Sequence, residues 1–104
     1  MADSKVIVEN QSWGLVKKYL QKTVNSVYIE AGVFTCDPGK SLDLHSHEEG
    51  DEYCFMLSGQ GIFDIEGEKT TVSEGEVICI PKGAKHYSSN TGNERFESAF
   101  LICP

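Results

Sequence analysis

Turn signals recur at short intervals from Asp37 to Asn93, and no long amphipathic helix pattern appears between them. Asp37-Pro38-Gly39, Ser58-Gly59-Gln60-Gly61, Glu66-Gly67-Glu68, Ser73-Glu74-Gly75, Pro81 with Gly83, and Thr91-Gly92-Asn93 each break the chain. The pieces between them are short and apolar: Glu52 to Leu57, Ile62 to Ile65, Lys69 to Val72, Val77 to Ile80, His86 to Asn90 and Phe96 to Ile102. Such spacing predicts an all-β chain whose edges are protected by closure into a sandwich or barrel.

The first third is less regular. Ser4 to Glu9 reads as a short extended piece around Val6-Ile7-Val8, and Trp13 to Leu20 fits either a helical turn or a strand. Val24 to Phe34, rich in β-branched and aromatic residues, reads as one strand. Ser41 to His47 alternates, with Leu42 and Leu44 on one side and Asp43, His45 and His47 on the other. At 104 residues the chain makes one domain.

Charge and cysteine usage narrow the function. Nine Lys and Arg stand against sixteen Asp and Glu, a net charge of −7, so the basic face that nucleic acid demands is missing. No apolar run reaches the roughly 18 residues of a membrane span, and no basic-then-apolar leader opens the chain. Cys36, Cys54, Cys79 and Cys103 are widely spaced, with no Cys-x-x-Cys. They are read as reduced thiols of a cytoplasmic protein.

The three histidines carry the chemistry. His45 and His47 are two apart, which on a strand puts both imidazoles on one face about 6.6 Å apart. Glu52 opens the next apolar run and returns beside them if the two strands pair antiparallel; Glu48, Glu49 and Asp51 are nearby alternatives. Imidazole and carboxylate donors together suit Fe, Mn, Co, Ni, Cu or Zn rather than Ca or Mg. Taken singly, each of these residues has an ordinary structural role open to it.

Two spaced patterns join them. The first is Gly39, five residues, His45-Ser46-His47, four residues, Glu52, six residues, Gly59. The second is Gly75, five residues, Pro81-Lys82-Gly83, two residues, His86, three residues, Asn90. Together they resemble the two motifs of the cupin superfamily, with the short inter-motif spacing of its small single-domain members. The resemblance implies a jelly-roll β-barrel over 25–104. It implies one divalent transition metal ion held by His45, His47, Glu52 and His86, with Asn90 in support.

Strand alternation from Glu52 and His86 adds Cys54, Met56 and Ser88 as pocket residues. The resemblance further implies a homodimer, with the strand segment 1–24 as candidate contact. Two functions follow. One is a metal-dependent enzyme on a small organic molecule, of dioxygenase, isomerase, lyase or cyclase type. The other is a non-catalytic small-molecule-binding or sensor barrel. Substrate, reaction and native metal are left open by the motifs.

Overall fold

The computed structural model describes residues 6–104, and among these every regular element is a strand. The strands are β1 (Ile7–Gln11), β2 (Gly14–Val24), β3 (Val27–Cys36), β4 (Asp51–Ser58), β5 (Gln60–Ile65), β6 (Glu68–Ser73), β7 (Val77–Ile80), β8 (His86–Ser89) and β9 (Phe96–Cys103). They form a six-stranded sheet ordered β1-β2-β3-β9-β4-β7 and a three-stranded sheet ordered β6-β5-β8, with antiparallel pairing throughout. The expected all-β jelly-roll barrel is met. The start of the extended piece read from Ser4 lies outside the described residues. None of the described residues belongs to a helix long and apolar enough to cross a membrane.

Three local readings need correction. Within Trp13 to Leu20, open between helix and strand, Trp13 sits in the β1–β2 turn and Gly14 onward is strand, β2 pairing along its length with β3. The strand read over Val24 to Phe34 starts later than expected: Val24 ends β2, Asn25 and Ser26 form a two-residue hairpin with φ of 50° and 66°, and β3 begins at Val27. Such a turn needs left-handed backbone at both central residues, which Asn tolerates better than most. The Glu66-Gly67 hairpin, by contrast, announces itself through glycine and forms as expected between Ile65 and Glu68.

The third correction concerns Ser41 to His47, which is not a regular strand. It touches β8 at two isolated bridges, Ser41 to Ser89 and His45 to His86. The Leu42 amide donates to the Ser88 carbonyl at 2.9 Å, and the His45 and His86 amides exchange bonds of 3.0 and 2.8 Å. The predicted alternation fails: Leu42 packs partly against the core while Leu44 is 61% exposed. β8 has only four residues, too few to hold a longer ladder in register.

The core sits between the sheets. Phe96, fully buried, meets Phe34 at 5.9 Å and Phe63 at 6.3 Å between ring centroids, and Phe34 in turn meets Phe100 at 6.2 Å and Trp13 at 6.5 Å. Phe63 comes from the small sheet and the other four from the large sheet or its β1–β2 turn, so one aromatic cluster clamps both together. Gly61 makes room for it: a Cβ there would stand 2.7 Å from the Phe96 ring. Gly61→Ala should therefore lower stability by about 1–3 kcal/mol in urea unfolding, from overpacking. Gly92→Ala, whose added methyl meets only ordinary contact, should stay within about 0.5 kcal/mol.

Candidate metal centre

His45, His47, Glu52 and His86 meet at one mouth of the barrel, although they arrive from three directions. His45 and His47 lie on the irregular segment beside β8, and His86 opens β8 itself. Glu52 belongs to the opposite sheet. The expectation that it would return by pairing with the histidine segment is not met, since β4 pairs with β7 and β9. The chain instead crosses between sheets at Gly50, where any Cβ would collide with the Cys103 carbonyl at the end of β9. Glu52 then faces the histidines across the barrel rather than along a ladder.

The imidazoles are oriented by backbone. His45 Nδ1 lies 2.6 Å from the Asp43 carbonyl and His86 Nδ1 lies 2.9 Å from the Ala84 carbonyl. A carbonyl only accepts, so both Nδ1 atoms carry the proton and both Nε2 lone pairs are left for the site. Ring centroids are 5.0 Å apart for His45–His47, 4.2 Å for His45–His86 and 5.2 Å for His47–His86. One ring nitrogen from each lies within 4.8 Å of the others, a group that could hold a metal ion.

The carboxylate closes the set. Glu52 Oε1 is 3.1 Å from His47 Nε2 and 3.3 Å from His86 Nε2. These are ion-pair distances, yet Glu52 Oε1 and His86 Nε2 are both buried without a hydrogen bond. A buried oxygen and a buried nitrogen this close without a hydrogen bond suit a cation between them. Three nitrogens and an oxygen match the borderline transition metals.

Electrostatics divide the histidines. Burial lowers the His45 pKa, outweighing the Asp43 carbonyl, and so favours the neutral ring that a metal requires. His47 is raised, first by the Glu52 carboxylate and against its own burial. Burial opposes the charge on Glu52, but the His47 and His86 rings outweigh it and bring its pKa to about 2.

The remaining sequence-predicted residues divide by depth. Cys54 and Ser88 line the same cavity as the histidines, one step below Glu52 and His86 on the facing sheets. Cys54 donates to Glu52 Oε2 at 3.5 Å, and burial pushes its thiol well up, followed by the Glu52 charge. Met56 is packed in the core and does not line the cavity. Asn90 follows β8 and is 1% exposed. Its amide donates to the Cys36 and Glu94 carbonyls at 2.9 and 2.8 Å and accepts from the Gly92 amide at 3.0 Å. Its contacts hold the turn.

Sequence reasoning did not place the large apolar walls. Trp13, Phe34, Phe63, Phe100 and Ile102 line a cavity of about 320 Å³ that opens past the histidines. Their inward positions on β3, β5 and β9 follow from alternation, but only once the strand boundaries and the pairing across sheets are in place.

The family model for the cupin domain matches residues 32–102. The oxalate-binding protein of Thermotoga maritima is 37% identical over 65 residues, 62% of this chain and 54% of that protein. The tetracenomycin polyketide synthase protein TcmJ of Streptomyces glaucescens is 28% identical over 67 residues, 64% of this chain and 45% of that protein. The chain thus spans about half the length of these curated relatives. Among solved structures, a predicted oxalate decarboxylase of Thermotoga maritima superposes with a TM-score of 0.73 at 25% identity, covering 97% of this chain and 93% of that one.

Asn90→Ala should cost about 1–3 kcal/mol of stability in denaturant unfolding, because the buried Cys36 carbonyl loses its partner, along with the part-buried bonds to Glu94 and Gly92. Metal uptake by the folded variant should match wild type, since none of the Asn90 hydrogen bonds reaches an imidazole.

Proposed function

The chain belongs to the cupin family, and we propose that within it this protein is a mononuclear metal-dependent enzyme acting on a small organic molecule. The observation that supports this best is the convergence of His45, His47, His86 and Glu52 with buried, unpartnered donor atoms at its centre. His45, His47 and His86 would bind the ion through Nε2 or its equivalent, and Glu52 through a carboxylate oxygen. The bound ion would supply Lewis acidity, and with a redox-active metal a site for oxygen chemistry.

The protein's own part is orientation and exclusion. The Asp43 and Ala84 carbonyls hold the His45 and His86 rings in one tautomer. Trp13, Phe34, Phe63 and Phe100 form an apolar wall that keeps bulk water from the substrate. A cavity of about 320 Å³ admits only a small molecule. A divalent ion against the single carboxylate of Glu52 leaves a net positive charge, which favours anionic oxygen ligands. The Thermotoga relative, named for oxalate, points to the same chemistry. That name also supports the second reading, a barrel that binds such a ligand without turning it over.

Apoprotein titrated with Co(II), Mn(II) or anaerobic Fe(II) should gain about 2.7 kcal/mol of stability when free metal is 100 times Kd. The gain should weaken as pH falls through the raised His47 pKa, above the ordinary 6.5, because a protonated imidazole cannot ligate. Nuclear magnetic resonance of loaded protein with a panel of small carboxylates and 2-oxo acids should show one consumed, and Glu52→Gln should abolish this. Binding without consumption would assign the non-catalytic reading; no stabilisation by any metal would contradict both.

A further inference from the structure

Among the described residues, three buried side-chain nitrogen or oxygen atoms have no hydrogen-bond partner: Glu52 Oε1, His86 Nε2 and Ser88 Oγ. All three residues line the same cavity. A cation between the imidazoles and the carboxylate accounts for the first two, since lone pairs that converge on an ion need no hydrogen donor. It does not account for the third. A neutral hydroxyl is not a ligand of the imidazole–carboxylate kind that borderline transition metals favour.

Several other polar groups at the cavity wall are engaged with one another rather than with Ser88. The Cys54 thiol donates to Glu52 Oε2 at 3.5 Å. The Lys18 ammonium lies 3.5 Å from Glu9 and 3.9 Å from Glu30, and Glu30 accepts the Tyr28 hydroxyl at 2.6 Å. Ser88 is 3% exposed, and an unpaired hydroxyl at that depth is unfavourable unless something enters to meet it. It is two residues past His86 on β8, on the same face and about 6.6 Å further along the strand. A molecule that touches the ion and extends into the cavity passes this hydroxyl.

We propose that Ser88 is a positioning residue for the ligand. Its hydroxyl donates to an anionic oxygen of a small carboxylate whose other oxygens meet the ion. This rests on the metal-dependent reading and narrows it. The ligand is a carboxylate with at least one oxygen turned toward the barrel interior, and Ser88 sets how it lies.

The test uses Co(II)-loaded wild type, Ser88→Ala and Ser88→Thr, with oxalate as the probe. Metal content, oxalate binding by calorimetry and the urea midpoint without oxalate are read on the same preparations. Metal content should be equal in all three. The oxalate Kd should rise roughly 10- to 100-fold in Ser88→Ala, the loss expected for a hydrogen bond to a charged acceptor. Ser88→Thr, which keeps the hydroxyl, should recover most of it. The oxalate-free urea midpoint of Ser88→Ala should equal or exceed wild type, because no protein hydrogen bond is lost. A Ser88→Ala protein that binds oxalate as wild type does, or that is less stable without oxalate, overturns the proposal. Metal-loaded wild type that fails to bind oxalate overturns this proposal alone, whereas wild type that takes up no metal overturns the metal reading with it.

Discussion

A single carboxylate buried against two imidazoles from the opposite sheet is the contact on which the barrel mouth depends. Glu52 stands on β4 of the six-stranded sheet, and the histidines stand on and beside β8 of the other. A charge this deep is tolerated only where its partners are held in place. Of those partners His86 is held by the Ala84 carbonyl, and the neighbouring His45 ring is held by the Asp43 carbonyl. Three nitrogens and an oxygen are thereby kept close, with Glu52 Oε1 and His86 Nε2 left without a hydrogen bond, an arrangement suited to a cation.

Everything below the mouth serves to keep the sheets at that separation. The aromatic cluster around Phe96 and Phe34 fixes their distance from within. The chain changes sheets at Gly50, where β9 ends too close for any side chain. Asn90 ties the turn after β8 back to Cys36 at the end of β3, so the irregular histidine segment runs between two anchored points. Polar layers in the cavity therefore alternate with apolar walls. The cavity's shape follows from strand spacing, and its chemistry from which alternate residues face inward.

Much of this was legible in the sequence. The motif spacings select His45, His47, Glu52 and His86 from among five acidic residues and three histidines near the loops, and alternation from Glu52 and His86 reaches Cys54 and Ser88 in the cavity. What failed to be legible was the path. Pairing of Glu52 with the histidine segment is the simplest local hairpin, and only the crossover at Gly50 rules it out. The Asn25-Ser26 turn lacks the glycine that marks its counterpart at Glu66-Gly67, so the boundary between β2 and β3 was misplaced. The walls from Trp13, Phe34 and Phe100 depend on pairings between strands far apart in sequence, such as β3 with β9, which no local pattern carries.

Elemental analysis of metal per chain tests the account most directly, on protein purified without a histidine tag and compared with His47→Ala. The account predicts close to one transition metal ion per wild-type chain and a large loss in the variant, with the fold retained by circular dichroism. Wild-type protein free of metal after anaerobic reconstitution with Fe(II), Mn(II), Co(II), Ni(II) and Zn(II), or a variant that retains the full complement, would contradict it.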